Sequence, residues 1–403
     1  MKNPIFQPAD ILLPAEVDFH RWSVIACDQF TSDAEYWHEV EHIVGNAPST
    51  LRMMLPEYYL GRVDPQEAAK AAQRTMRSYL DSGVFRTLEQ SFVYLERFLA
   101  TGVMRRGIVG QIDLEAYDYL PDAEVPIRAT EGTVEERLPP RIRVRREAPL
   151  EMPHIMLFLD DPADAIMLSA AGAAGETVYS FDLMGGGGHI TGRQISGVAA
   201  RKLTEQITKV IGCQTVQLAV GDGNHSLASA RKCWLEKKQH LSSEEAETDP
   251  ARFALVEVVN IHDPSITFAP IHRVLFDTDA SQWLDEAKNA LFASEGREIL
   301  LIAGERQCTL TARGDTIGTL IANVEQFCRD YLNRHGGEID YIHGDDEARS
   351  LSMQTNCCGV LLPPIEKEEL FPSIARSGPF PRKSFSIGLG PDKRYYLECR
   401  KIQ

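Results

Sequence analysis

The residues whose types and spacing are best suited to catalysis or ligand binding lie within positions 216–234. There an apolar run leads into Gly-Asp-Gly-Asn-His-Ser. The run predicts a strand over 215–220, and the residues after the glycines predict a helix over 224–239. Glycines let the backbone approach a ligand, and the free N–H groups at a helix start attract anions. The sequence therefore predicts an anion site here, made of Gly221, Gly223, Asn224 and Ser226.

Asp222 and His225 are the ionisable residues of the same turn. A carboxylate there could hold a metal ion on a phosphate or take a proton from an attacking hydroxyl. An imidazole could donate to a phosphate oxygen or act as an acid and base. The alternative is a capped turn in which both side chains only bond to the backbone.

A second candidate is a glycine-rich loop after a strand predicted over 177–183. It matches neither the dinucleotide fingerprint nor the P-loop pattern. Such a loop could wrap a ligand, or it could be a plain mobile hairpin. Its residues are Gly185, Gly186, Gly187, Gly188 and His189.

A third candidate lies in an arginine-rich stretch, 121–150, of an otherwise acidic chain. Glu131 could be a general base or a metal ligand. Arg128, Arg137 and Arg141 could clamp a phosphate or a carboxylate. The alternative is a solvated Arg/Glu network on the surface.

Polar groups at the edges of apolar strands give weaker signals, each more often structural than functional. They are His272, Arg273 and Lys383.

Composition limits the class of partner. The 403 residues include 42 basic and 58 acidic side chains, for a net charge of −16. That charge disfavours nonspecific binding to nucleic acid or to an anionic membrane, whereas a small anionic substrate needs only a local basic pocket. Eight cysteines without a C-x-x-C, and no secretory signal, predict a cytoplasmic protein. The oligomeric state is not predicted.

Apolar runs alternate with helical patterns, which predicts an α/β or α+β fold with mixed sheets. We expect a main domain over 1–276 and a C-terminal α/β subdomain over 277–403. Helices are predicted over 34–44, 66–82 and 197–211, a strand pair over 92–99 and 107–114, a strand over 21–26, and a loop over 240–250.

Several segments, in one order from about residue 5 to 400, resemble the domain-of-unknown-function 1015 family. This resemblance names a family and implies no activity. The segments are WSVIACDQFTSDAEYW, RATEGTVEERLPPR, PHIMLFLDD, FDLMGGGGHITG, VGDGNHSLASA, LVEVVNIHDPSITFAPIHR and PRKSFSIGLGPDKRYYLECRKI.

A Glu…Arg element followed by D-G-x-H at a helix start is similar to the ParB/sulfiredoxin superfamily, some of whose members phosphorylate free serine. Glu131 and Arg137 match the first element, and Asp222, Gly223 and His225 match the second. The arginine usual after that histidine is Ser226 here. Candidates for the missing charge are Arg193, Arg273 and Lys383.

These resemblances imply a ParB/sulfiredoxin-like core and phosphoryl transfer to a small hydroxyl substrate, with free L-serine as a candidate. ATP, ADP or pyrophosphate would be the donor and Mg²⁺ the metal, held by Asp222. Glu131 would be the base, and His225 with the 223–226 amides would cradle the phosphate. A phosphate-ester or nucleotide hydrolase and a non-catalytic nucleotide or amino-acid binding protein remain as alternatives.

Overall fold

The computed structural model describes residues 4–30, 33–59, 62–152 and 154–403. Thr31, Ser32 and Pro153, which belong to segments quoted for the family resemblance, lie outside them. Within the described part, the chain has a mixed α/β fold, as predicted.

A large mixed sheet forms the centre of the molecule, in the order β5-β6-β11-β8-β12-β4-β3-β10-β9. Two further strands join it, β1 beside β4 and β2 beside β3. The strands are β1 (Phe6–Gln7), β2 (Ala9–Pro14), β3 (Phe85–Phe98), β4 (Met104–Asp113), β5 (Tyr117–Asp118), β6 (Ile127–Ala129), β8 (Met156–Leu159), β9 (Thr177–Asp182), β10 (His189–Ile195), β11 (Leu218–Asp222) and β12 (Phe253–Asn260).

A second sheet has the order β15-β14-β17-β13-β16, with β18 beside β13. A two-stranded sheet pairs β19 with β7. These strands are β7 (Leu150–Glu151), β13 (Phe268–Phe276), β14 (Phe292–Ala303), β15 (Arg306–Ala312), β16 (Glu338–His343), β17 (Cys358–Leu361), β18 (Phe385–Ile387) and β19 (Arg400–Lys401).

Helices cover the sheets. They are α1 (Phe19–Trp22), α2 (Ala34–Val44), α3 (Pro65–Asp81), α4 (Leu138–Arg146), α5 (Ala165–Ala173), α6 (Gly197–Ile211), α7 (Asn224–Lys238), α8 (Ser243–Thr248), α9 (Ala280–Leu291), α10 (Ile317–His335), α11 (Asp345–Ser352) and α12 (Lys367–Ser377). Among the described residues, none of these helices is both long and apolar enough to cross a membrane.

Strand β3 is apolar at consecutive positions because both of its faces are buried. Side chains alternate across a strand, and here both faces are buried. Val93 and Leu95 enter a core that includes side chains of α1, α2 and α3. Phe92 and Tyr94 enter the core on the other face, with side chains of α5, α6 and α7. The sheet is therefore the middle layer of the first part of the chain.

After β18, the C-terminal segment, residues 388–403, returns to the first part of the chain. Arg400 in β19 pairs with Glu151 in β7, and Cys399 forms a bridge with Leu12. Strand β13 precedes position 277 yet belongs to the second sheet. The division into domains at 276 and 277 stays a prediction.

Buried charges hold this segment in place. Arg394 lies 2.7 Å from Glu257 and 2.7 Å from Glu398. Burial alone would raise the pKa of Glu257, but Arg394 and Arg105 lower it below its usual value. Gly107 leaves room for this carboxylate, since a Cβ there would lie 2.5 Å from its Oε1.

Two local predictions were wrong. Residues 21–26 do not form a strand; Asp18 accepts from the N–H of His20 at 3.0 Å and caps α1 instead. Residues 240–250 are not simply a loop, because Ser242 and Glu245 form a capping box at the start of α8. Helices α2, α3 and α6 and the β3–β4 pair confirm the other predictions.

Replacing Glu257 by glutamine should lower the free energy of unfolding by about 3 kcal/mol, because Arg394 would stay buried without its full partner set. The measurement is urea unfolding of the Glu257→Gln variant. The matched control is Glu338→Gln, an exposed residue, which should change stability by less than about 0.5 kcal/mol. Equal effects of the two substitutions would contradict a structural role for the pair.

Candidate functional site

A cavity of about 1010 Å³ lies where the two sheets and the C-terminal segment meet. Strands β6 and β11 are parallel, so their C-terminal ends lie at the same edge of the large sheet. Thr130 reinforces this pairing by donating its hydroxyl to the Val220 carbonyl at 2.7 Å. Glu131 and Asp222 therefore both line the cavity.

The turn from β11 into α7 requires its two glycines. A Cβ on Gly221 would lie 2.5 Å from the Phe158 ring. Gly223 has φ +83°, which other residues rarely adopt. Helix α7 then begins at Asn224, and Asn224, His225 and Ser226 line the cavity. The free N–H groups of a helix start therefore lie beside Asp222, as the sequence predicted.

Asp222 is held as an anion. Its Oδ1 accepts from the Gly223 N–H at 2.7 Å, and its Oδ2 lies 3.3 Å from Nζ of Lys393. Burial alone would raise its pKa, but Lys393, His154 and the Gly223 N–H outweigh burial and lower the pKa below the usual value. Asp222 is thus a fixed negative charge at neutral pH.

Glu131 has the opposite character. Burial raises its pKa to about 7, although the Ser384 and Phe385 N–H groups and Lys393 favour the ionised form. Its Oε1 accepts from the Ser384 N–H at 3.3 Å. A carboxyl group with such a pKa can both accept and release a proton near neutral pH.

His225 joins two sides of the cavity. Its Nε2 accepts from the Val134 N–H at 3.2 Å. A nitrogen that accepts this bond carries no proton, so the imidazole in this arrangement is neutral with its proton on Nδ1. His225 thereby fixes the loop after Glu131 against the start of α7.

Positively charged side chains from several parts of the chain line the cavity. Arg137 precedes α4, Lys383 precedes β18, and Lys393 follows a short turn in the C-terminal segment; all three line the cavity. Lys383 has φ +55°, and its Nζ lies 4.9 Å from the centre of the Tyr341 ring. These cations give an anionic ligand the local basic pocket that the net charge of the chain does not provide.

Arg273 supports the part of the cavity lining that contains Lys383. It is fully buried, and its Nε lies 3.1 Å from Glu325 Oε2. Its Nη1 donates to the Lys383 carbonyl at 3.1 Å. Arg273 thus positions Lys383 and lowers the pKa of Glu131 through its charge, but it does not line the cavity.

Three other predicted residues also lie away from the cavity. The Nε of Arg128 donates to the Val125 carbonyl at 3.1 Å. The ring of His272 bonds to Asp345 at 3.0 Å and accepts from the Leu362 N–H at 3.1 Å. Arg193 lies 3.4 Å from Glu96 on the large sheet. The structure does not bring these three side chains to the turn before α7.

The glycine loop is a tight hairpin between β9 and β10, closed by the Leu183 N–H on the Gly188 carbonyl at 2.8 Å. Gly185, Gly186 and Gly188 have positive φ. Gly187 packs closely against the Tyr395 hydroxyl. Gly187 serves this packing on the C-terminal segment, whereas Gly188 packs against the Phe98 carbonyl. Residues 185–188 do not line the cavity.

His189 lies at the base of that hairpin, on the partly exposed face of β9 and β10. Its Nδ1 is 2.7 Å from Asp182 Oδ1, and its Nε2 is 3.0 Å from Ser180 Oγ. It does not line the cavity either.

Sequence reasoning missed His154, which helps to lower the pKa of Asp222, and it missed Lys393. Two buried arginines of β3 and β4 hold its backbone: Arg97 donates to the Lys393 carbonyl at 2.8 Å, and Arg105 donates to the Asp392 carbonyl at 2.7 Å. The available signal was the basic residue after Gly-Pro-Asp near the C-terminus. Nothing local connects it with a turn about 170 residues earlier.

A divalent metal has few ligands here. The described residues contain no group of three or more His, Cys, Asp or Glu side chains arranged to hold a metal ion. Mg²⁺ often binds through one or two carboxylates and the phosphates of a substrate. Asp222 fits that limited role, since it stays ionised and faces the cavity beside the helix start.

A family model described as a protein of unknown function, DUF1015, matches residues 8–334. The chain belongs to this family. The family resemblance predicted from the sequence is thereby confirmed. No curated protein matches the chain.

Among solved structures, the chain is similar to SbnI with a C-terminal truncation from Staphylococcus aureus, at 10% identity and a TM-score of 0.37, covering 70% of this chain and 82% of that one. A conserved hypothetical protein from Pyrococcus furiosus matches at 11% identity and 0.35, covering 71% and 92%. A free serine kinase in complex with AMP matches at 11% and 0.37, covering 72% and 91%. Similarities of this size say nothing about the ligand or reaction of this chain.

The raised pKa of Glu131 predicts a pH-dependent stability. The carboxyl ionises near 4.5 in the unfolded chain and near 7 in the folded one. The stability it contributes is therefore present below about pH 4.5 and lost as the pH rises through 7. Relative to Glu131→Gln, wild type should lose about 2 kcal/mol of unfolding free energy between pH 5 and 8. Urea unfolding at each pH measures this.

The matched control for that experiment is Glu305→Gln, in the exposed turn between β14 and β15. Its stability difference from wild type should stay constant over the same pH range. An equally constant difference for Glu131→Gln would show that Glu131 titrates normally.

Proposed function

We propose that this protein is a phosphotransferase that moves a phosphoryl group from a nucleotide or pyrophosphate to a small hydroxyl compound. Free L-serine is the first acceptor to test. The cavity combines a proton acceptor, a fixed anion, an anion-binding helix start and several cations. Phosphoryl transfer requires mainly this combination, since it depends on positioning and on charge stabilisation.

The contrast between Glu131 and Asp222 carries the proposal. Both carboxylates line one cavity, yet the pKa of Glu131 is raised to about 7 and that of Asp222 is lowered. Two carboxyl groups whose pKa values are pushed apart are typical of an acid–base residue beside an electrostatic one. This contrast supports Glu131 as the base.

The phosphate cradle in this proposal consists of backbone and cations. The N–H groups of Asn224, His225 and Ser226 begin α7 and would receive the transferred phosphate. Lys393 is already beside this turn, 3.3 Å from Asp222. His225 acts in positioning, because it ties the Val134 N–H to the helix start.

In the reaction, the acceptor oxygen forms a bond to the phosphorus atom while the bond to the donor's bridging oxygen breaks. Glu131 takes the proton of the acceptor hydroxyl. The donor leaves as its shortened phosphate, which carries away the bonding electrons. The helix start and Lys393 stabilise the charge spread over the phosphoryl oxygens during this step.

Mg²⁺, when bound, supplies charge neutralisation between donor phosphate oxygens. Asp222 would hold it, which is consistent with a carboxylate kept ionised by its surroundings. A protonated Asp222 could not do so, and the lowered pKa excludes that form near pH 7.

Glu131→Gln should lose about 10²- to 10⁴-fold of the wild-type rate, because glutamine cannot accept the acceptor's proton. The measurement is ³¹P NMR of the protein with Mg²⁺ and ATP, ADP or pyrophosphate, with and without L-serine. The wild-type rate should rise with an inflection near pH 7, and Glu305→Gln should match wild type. Asp222→Asn should also lose turnover while remaining folded.

Full activity of Glu131→Gln would remove its role as the base. Phosphate release that does not depend on serine or another hydroxyl acceptor would identify a hydrolase. Unchanged spectra for every donor, with and without every acceptor tried, would contradict the phosphotransferase proposal.

A further inference from the structure

The loop that leads into β18 is fastened to the proposed base. Phe380 forms a parallel bridge with Glu131, and the Ser384 N–H donates to the Glu131 carboxylate at 3.3 Å. The residues between these two anchors, 381–383, all line the cavity. The loop therefore places the exposed side chain of Lys383 in the cavity, close to the base.

One network of side chains fixes both the backbone and the ammonium group of Lys383. The buried Arg273 donates to the Lys383 carbonyl at 3.1 Å and to Glu325 at 3.1 Å. The Nζ of Lys383 lies 4.9 Å from the centre of the Tyr341 ring, a distance at which a ring face attracts a cation. The Tyr341 hydroxyl in turn donates to Glu325 at 2.7 Å. Lys383 is thus held in place before any ligand binds.

The backbone of Lys383 is unusual as well. Its φ is +55°, in the left-handed region that residues with a Cβ rarely adopt. The Ser384 hydroxyl closes this turn by donating to the Pro381 carbonyl at 2.6 Å. Such strain persists where the surrounding structure holds it, and it is concentrated at functional sites. A lysine in a position that suits glycine points to a use for its side chain.

The charge of Lys383 is not neutralised by the protein. In the part of the chain that the structure describes, no carboxylate forms an ion pair with its Nζ, whereas Lys393 is paired with Asp222 and both Arg273 and Arg329 lie beside Glu325. Lys383 therefore offers a fixed positive charge to a ligand in the cavity.

This charge belongs to a different part of the lining from the phosphate cradle. The cradle is the start of α7 with Lys393, whereas Lys383 lies on the loop before β18, beside Tyr341 of β16. In the proposed reaction the acceptor hydroxyl lies at Glu131, which bonds to this loop. The rest of a small acceptor is therefore within reach of Lys383.

We infer that the acceptor carries a carboxylate and that Lys383 binds it, so that the substrate is a small hydroxy acid or a hydroxyl-bearing amino acid. A single compact ammonium charge matches a monoanion. A phosphate ester on the acceptor would offer the same kind of partner, and the experiment separates the two. This inference rests on the proposed function, because it places the hydroxyl of the same acceptor at Glu131.

The test compares acceptors that differ in their anionic group, using ³¹P NMR with Mg²⁺ and ATP, ADP or pyrophosphate. L-Serine is compared with serinol, in which a hydroxymethyl group replaces the carboxylate. Glycerate is compared with glycerol and with glycerol phosphate. In at least one set the carboxylate compound should react about tenfold or more faster than its neutral partner at subsaturating concentration, because only the carboxylate pairs with Lys383.

Lys383→Met keeps the length of the side chain and removes its charge. This variant should lower the rate ratio of carboxylate to neutral acceptor about tenfold and raise the KM for the carboxylate acceptor by a similar factor. Lys383→Arg should keep the ratio within about threefold of wild type, because the positive charge remains. The matched control is Lys202→Met, on an exposed lysine of α6, which should keep the wild-type ratio. Neither a KM nor a ratio of rates depends on the folded fraction of a variant.

Equal rates for carboxylate and neutral acceptors, or a wild-type ratio in Lys383→Met, would overturn the carboxylate site and leave phosphoryl transfer intact. Faster transfer to glycerol phosphate than to any of the carboxylates would assign Lys383 to a phosphate group and would also overturn it. No transfer to any hydroxyl compound would remove the proposed function together with this inference.

Discussion

The buried ion pairs that fix the C-terminal segment are the constraint on which the candidate site depends. Arg394 is paired with Glu257 and Glu398 in the interior, and Arg97 holds the Lys393 carbonyl. Charges taken out of water cost several kcal/mol each unless they are closely paired. The segment therefore has one favourable arrangement, and that arrangement places Lys393 against Asp222.

The same constraint gives the two carboxylates their different characters. Lys393 lies 3.3 Å from Asp222 and keeps it ionised. Glu131 lies beside the start of β18. Its burial raises its pKa more than the charge of Lys393 lowers it, so the pKa rises to about 7. Lys393, which comes from the C-terminal segment, thus keeps Asp222 ionised, whereas Glu131 remains able to accept a proton.

Local patterns predicted the parts of the site that are continuous in sequence. The strand predicted over 215–220 is observed at Leu218–Asp222, and the helix predicted over 224–239 is observed at Asn224–Lys238. Glu131 and Arg137 also line the cavity, although the helical pattern of α4 was not recognised in its arginine-rich sequence. Two prolines at its start and four arginines leave α4 with little apolar periodicity.

Long-range pairing explains what could not be predicted. The four glycines predicted a loop that wraps a ligand; in the structure three of them have positive φ in a hairpin, and Gly187 packs on Tyr395. His272 and Arg273 are adjacent in sequence and on opposite faces of β13, so only Arg273 supports the site. Lys393 reaches Asp222 through tertiary contacts alone. Composition and periodicity carry no information on which of these distant segments meet.

A crystal structure of the protein with Mg²⁺ and pyrophosphate or ADP would test the central claim most directly. The account predicts a phosphate group at the N–H groups of Asn224, His225 and Ser226, with Lys393 in contact with it and Glu131 facing it. A phosphate held elsewhere, for example by the hairpin of residues 185–188, with no anion at the start of α7, would contradict it.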